Sequence, residues 1–155
     1  MQSAPRICVA IGRETIDDAL AAADSVSSLA DVLEIRLDCL NVPAVSPFMN
    51  SLTRPLLFTN RPLWEGGKYE GSEEERLGPL LEAVTENCSY VDLELLAPES
   101  SHSQLQNVLK DSDSHLILSH HNFQATPDHG ELVGRLAQMR EMGADIGKII
   151  TMAHS

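Results

Sequence analysis

The sequence is short of basic residues, of cysteine and of long apolar runs, and each shortage removes a class of function. Only 11 Lys and Arg face 23 Asp and Glu, a formal net charge of −12. So acidic a surface is repelled by phosphate backbones and anionic headgroups, which excludes nucleic acid and membrane as expected partners and leaves small molecules or proteins. The three cysteines, Cys8, Cys39 and Cys88, are odd in number and lack any C-x-x-C spacing. They read as reduced, buried thiols of a cytoplasmic protein, not as a disulfide frame. The segment Met1 to Arg6 has no basic stretch leading into a long apolar one, and no run approaches the ~20 apolar residues needed to span a bilayer. Neither export nor membrane insertion is expected.

What the sequence does contain is enough apolar material for a core. At 155 residues and 43% hydrophobic it reads as one globular domain, residues 1–155, or part of one. Six short apolar segments have strand character: Ile7–Ile11, Val32–Leu37, Leu56–Thr59, Tyr90–Leu95, Leu116–His121 and Asp145–Ile150. Helical patterns separate them. The first runs from about Glu14 to Leu29. Another opens with Ser72 and Glu75 at capping-box spacing. A later one takes Thr126 as cap and Pro127 as first residue, turns Leu132, Val133, Leu136 and Met139 inward, and stops at Gly143. Pro43–Leu52 and Glu99–Leu109 carry weaker helical patterns. Strict β-α alternation predicts parallel strands with right-handed crossovers, either a doubly wound sheet or a (β/α) barrel. Polar residues recurring at alternate positions near the strand ends favour the barrel, whose lumen opens at the carboxyl ends of its strands.

Lys148 stands alone in the apolar run Ala144 to Ile150. A buried ammonium is costly, so either a partner neutralises it or the site releases its proton and leaves a nucleophilic amine. Side chains two apart in a strand share a face, so Glu34, Arg36 and Asp38 point one way and Leu33, Ile35 and Leu37 the other. Arg36 is then expected between two carboxylates. The same parity recurs in Thr59 and Arg61, in Asp92 and Glu94, and in Ser119 and His121. Neighbours His120 and His121 project to opposite faces, which argues against a shared metal ion. One imidazole in the lumen as a general base is the simpler assignment. After the third strand, the charged, glycine-containing loop Asn60 to Tyr69 lies at the lumen mouth, but it lacks the spacing of a phosphate-binding loop. An amine, an imidazole and several carboxylate–guanidinium groups fit chemistry next to a carbonyl. Aldol cleavage and elimination of water both satisfy that description.

The stretches Glu34-Ile-Arg-Leu-Asp38, Arg61-Pro-Leu-Trp-Glu-Gly-Gly67, Ser119-His-His-Asn-Phe123 followed by Ala125-Thr-Pro127, and Gly143-Ala-Asp-Ile-Gly-Lys-Ile149 closely resemble the type I 3-dehydroquinate dehydratases, Schiff-base enzymes of the shikimate pathway. The motifs occur in the family's order, and the match runs from Arg6 to the last residue. The resemblance implies a (β/α)8 TIM barrel, no metal or organic cofactor, and conversion of 3-dehydroquinate to 3-dehydroshikimate, a step of aromatic amino acid biosynthesis. It implies that Lys148 forms the imine, that His121 moves the α-proton and then protonates the departing hydroxyl, and that Glu65 orients His121. Glu34, Arg36 and Arg61 would hold the substrate's hydroxyls. Family members are often dimers, so a homodimer is one arrangement the resemblance allows. Ile150 stands where the family often has alanine.

The resemblance also implies two further βα units beyond Ser155, carrying an arginine for the substrate carboxylate and a serine and glutamine for the lid. On that reading the chain is an incomplete barrel of about six of eight βα units, with two unpaired sheet edges, and activity is not expected of these residues alone. Two other readings stand beside it: a class I Schiff-base aldolase of similar architecture, and a non-catalytic interaction module that completes its sheet with another chain.

Overall fold

The computed structural model describes residues 5–153. The reading of Met1 to Arg6 therefore falls mostly outside the described residues, as do the last two positions of the Thr151 to Ser155 end. The strands are β1 (Cys8–Ile11), β2 (Val32–Arg36), β3 (Leu56–Thr59), β4 (Tyr90–Glu94), β5 (His115–Asn122) and β6 (Ile146–Thr151). The helices are α1 (Ile16–Val26), α2 (Ser46–Ser51), α3 (Glu73–Thr85), α4 (Glu99–Leu109) and α5 (His129–Glu141). Among the described residues the strands pair in parallel in the order β1-β2-β3-β4-β5-β6. The α/β expectation holds in its barrel form, as a half-barrel of six parallel strands.

Alternation along the strands divides the apolar residues into two bodies. Leu33, Ile35, Phe58, Val91, Leu93 and Leu118 point outward and are almost fully buried against the helices, forming the main core. Val32, Leu57 and Ile117, with Tyr90 against them, form a separate small cluster on the lumen side, at the amino ends of the strands. One turn of the pleat further along, the same face becomes polar. Thr59 lies opposite Asp92, and Ser119 opposite Lys148. The lumen thus has an apolar floor and a polar upper layer, which places chemistry at the carboxyl ends of the strands.

Local signals set most element boundaries. Thr15 caps α1 through the Asp18 amide, with Asp17 and Asp18 in the first turn favouring the helix dipole. Ser72 and Glu75 complete the expected capping box of α3. The α5 expectation needs correction. Its cap is Asp128, which accepts from the Glu131 amide, and the helix begins at His129. Thr126 instead donates to the Met152 carbonyl, tying the β5–α5 loop to the end of β6. Gly143, at φ 83°, does end the helix region as expected. Of the four residues expected to turn inward, Met139 is buried, whereas Val133 and Leu136 are 50% and 46% exposed. Leu136 lies near Gly147 of the edge strand β6, which pairs only with β5 among the described residues. The cysteines are free, but only Cys88 is buried; Cys8 is exposed because β1 is the other edge strand. No helix among the described residues is long and apolar enough to cross a membrane.

Candidate active site

Lys148, on β6, is the centre of the polar layer. Its Nζ lies 2.5 Å from Asp92 Oδ2 and 3.9 Å from Glu34 Oε1. Of the two ways to accommodate a lysine here, the structure therefore shows the partner: an ion pair with a fully buried carboxylate. Nucleophilic attack then requires the nitrogen to give up a proton out of that pair. Glu34 is held by the Thr59 hydroxyl at 2.7 Å.

Behind Asp92 runs a buried chain of charges. Its Oδ1 accepts from Ser119 Oγ at 2.6 Å and lies 3.2 Å from Arg61 Nη2. Arg61 Nη1 donates to Glu94 Oε1 and to Ser119 Oγ, each at 2.6 Å. The other Glu94 oxygen accepts from Arg76 Nη1 at 2.6 Å, and Arg76 also holds Glu73 through Nε and Nη2. Burial pushes the Asp92 carboxyl up, but the charges of Arg61 and Lys148 and the Ser119 hydroxyl outweigh it and leave it below the usual carboxylate range. Burial pushes Glu94 up to about 7, against Arg76 and Arg61 and with help from Asp92. Since both Glu94 oxygens already accept from guanidinium N–H groups, the carboxylate is the form this geometry holds. The upward push measures what burying that charge costs.

Beside this layer, the turn Leu63–Glu65 brings Glu65 to the end of β5, the strand paired with β6. Glu65 Oε2 accepts from the His121 amide at 2.9 Å and lies 2.7 Å from His121 Nδ1, while Oε1 lies 3.1 Å from His120 Nδ1. Opposite-facing neighbours thus reach one group after all, because the carboxylate sits at the strand end, where both imidazoles can bend to it. A proton on His121 Nδ1 donates to Glu65 and leaves Nε2 as the base. Gly66, at φ 75°, makes this possible: a Cβ there would fall 2.3 Å from the Phe123 ring. That ring stacks on His121 at 5.9 Å.

Lys148, His121, Glu65, Glu34, Arg36 and Arg61 all line one cavity of about 250 Å³. The six sequence-predicted residues are therefore brought together, though two are held otherwise than expected. Arg36 does not bridge two carboxylates. It forms a two-point pair with Asp38 alone, at 2.8 and 2.7 Å, because Asp38 has left the strand for the 3-10 turn Leu37–Cys39. Arg61 is 3% exposed, and its guanidinium is largely taken up by Glu94, Asp92 and Ser119. Asp92 and Ser119 were visible as part of the strand parity, but nothing in the sequence shows that they meet Lys148.

Asp38 supplies a test of this framework. Burial raises its carboxyl, but the Arg36 hydrogen bond and charge, with the amides of Arg61 and Lys68, lower it overall. A depressed carboxyl stabilises the fold above its unfolded value near 3.8 and loses that stabilisation as pH falls through the folded value. The urea midpoint is expected to drop more steeply below about pH 4 in the chain than in Asp38→Asn; parallel profiles would remove Asp38 from the account.

Fold and site together define an α/β half-barrel whose parallel strands carry an ion-paired lysine and a carboxylate-held imidazole at one cavity. The profile of type I 3-dehydroquinase matches residues 7–155. A 3-dehydroquinate dehydratase from Desulfotalea psychrophila is 47% identical over 150 residues, covering 97% of this chain and 66% of that protein. An Arabidopsis thaliana bifunctional 3-dehydroquinate dehydratase/shikimate dehydrogenase is 36% identical, covering 95% and 25%. The solved 3-dehydroquinate dehydratase of Enterococcus faecalis superposes with a TM-score of 0.89 at 34% identity, covering 97% of this chain and 68% of that one. The type I enzyme of Clostridium difficile, solved with covalently modified comenic acid, gives 0.89 at 28% identity, covering 97% and 64%. The chain belongs to the type I 3-dehydroquinase family. It spans about two thirds of the length of the single-function D. psychrophila relative and a quarter of the bifunctional one.

Proposed function

We propose that this chain carries the Schiff-base centre of a 3-dehydroquinate dehydratase, acting on a small hydroxylated keto acid in the shikimate pathway. The observation that carries the reading is the shared cavity: the Lys148 amine and the His121 imidazole open onto one space of about 250 Å³, each held by its own carboxylate. After losing a proton, Lys148 Nζ adds to the substrate ketone, and loss of water gives the imine. The imine acidifies the neighbouring C–H. His121 takes that proton, electrons move toward nitrogen, and the resulting enamine expels the hydroxyl, which His121 protonates as it leaves. Hydrolysis then releases 3-dehydroshikimate and restores the amine, for a net loss of one water. Glu65 keeps His121 oriented through both proton transfers. Glu34 and Arg36 lie where they can bind substrate hydroxyls. No metal or organic cofactor enters these steps, and the names of the relatives favour the same reaction.

Borohydride added with 3-dehydroquinate is expected to fix a covalent adduct on Lys148, located by peptide mapping, and Lys148→Met is expected to give none. A label at Lys68 or Lys110 in place of Lys148 defeats the reading.

A further inference from the structure

The proposed steps use Lys148, His121 and Glu65, yet they give no chemical role to Asp92, the carboxylate nearest the reacting nitrogen. We propose that Asp92 is the counter-ion of the imine, the group that keeps the nitrogen of Lys148 protonated after it has bonded to substrate carbon. This rests on the imine reading above and adds the group that makes the imine an effective electron sink.

The need for such a group is chemical. A neutral imine withdraws electrons weakly from the neighbouring C–H, whereas an iminium withdraws them strongly, so proton removal by His121 depends on nitrogen retaining its positive charge. The ammonium of the free site and the iminium of the adduct carry the same charge at the same atom. An anion fixed beside the first already stands beside the second, and no reorganisation is needed when the reaction begins.

Asp92 has the geometry for that task. One oxygen lies 2.5 Å from Lys148 Nζ, and the carboxylate is fully buried, where its field is least screened. The other oxygen is held by Ser119 at 2.6 Å and by Arg61 at 3.2 Å, so the carboxylate cannot swing away when the amine becomes an imine. Ser119 is the strand-register neighbour of Lys148, which fixes donor and nitrogen relative to one another through the backbone. Arg61 and the Ser119 hydroxyl, behind Asp92, also make it a weaker base, so it stays an anion and leaves the proton on nitrogen. Glu34, the other carboxylate near Nζ, is farther away at 3.9 Å and engaged with Thr59.

The test uses para-dimethylaminocinnamaldehyde, whose protonated imine absorbs at longer wavelength than its neutral imine, and needs no turnover. Its adduct with the chain is titrated against pH, and the signal remaining in Lys148→Met is subtracted. The Lys148 imine is expected to stay protonated to higher pH than the same aldehyde's imine with butylamine. In Asp92→Asn the pH of half-protonation is expected to fall by ~1–3, the range for loss of an opposite charge at this distance. Equal midpoints for the chain and butylamine, or for the chain and Asp92→Asn, overturn the counter-ion role. The butylamine comparison decides the matter even if Asp92→Asn does not fold. Absence of any Lys148-dependent band overturns the imine chemistry itself, counter-ion included. Failure of 3-dehydroquinate alone to form an adduct defeats only the assignment of substrate.

Discussion

Replacing His121 by alanine is expected to leave the Lys148 adduct in place while slowing removal of the substrate's α-proton by ~10²–10⁴-fold, the usual worth of a positioned general base. The separation follows from the layout of the cavity. Lys148 is held by Asp92 on the β4 side, His121 by Glu65 on the loop side, and no hydrogen bond or ion pair found among the described residues joins the two arrangements. Borohydride trapping reads the first half, and exchange of the α-proton with deuterated water reads the second. Glu65→Gln should fall between the unaltered chain and His121→Ala in exchange rate. It keeps an acceptor for His121 Nδ1 but removes the negative charge that stabilises the imidazolium formed when the proton arrives. If His121→Ala loses adduct and exchange together, the imidazole acts in imine formation as well, and the division of labour between Lys148 and His121 fails.

How much of this was legible in the sequence depends on the distance over which each signal acts. Strand parity is local, so Glu34, Thr59, Arg61, Asp92, Ser119 and His121 could each be placed on the polar face of their strand from spacing alone, and Lys148 stood out as a lone charge in an apolar run. Capping at Ser72 is also local. The α5 start was misread because Thr126-Pro127 and Asp128 followed by Glu131 are both valid start signals, and only the contact of Thr126 with Met152, across to β6, decides between them. The exposure of Val133 and Leu136 is likewise invisible to periodicity, which registers an apolar face but not whether anything lies against it. Pairing of Arg36 with Asp38 alone came from a change of backbone at Leu37 that ended the strand one residue early. The ion pair between Asp92 and Lys148 depends on the relative register of β4, β5 and β6, which tertiary packing sets and no single segment encodes. Arg76 is the clearest omission. It lies on α3 between apolar positions that bury the same face, and nothing in helical spacing shows its guanidinium reaching across to Glu94.

That omission identifies the substitution expected to damage the fold most. Arg76→Met is expected to cost ~3–5 kcal/mol, the range for removing one partner of a buried charge pair. For a chain of this size that corresponds to a fall in Tm of roughly 6–20 °C. The methionine fills most of the space, so the loss is not chiefly a cavity. Glu94, fully buried, keeps Arg61 but loses the donor on its second oxygen, and the Asn60 carbonyl loses a donor at 2.9 Å. Glu73, more exposed and still bonded to Ser101, loses less. The damage should therefore be traceable to Glu94. Adding Glu94→Gln to Arg76→Met removes the uncompensated charge and is expected to recover part of the stability, measured by urea unfolding of the two single variants and the double. Strict additivity of the two losses would mean that Arg76 stabilises by packing alone. Recovery would instead mean that the network behind Asp92 is tuned for position more than for strength: two guanidiniums hold Glu94, Glu94 holds Arg61, and Arg61 with Ser119 fixes the carboxylate beside the reacting nitrogen.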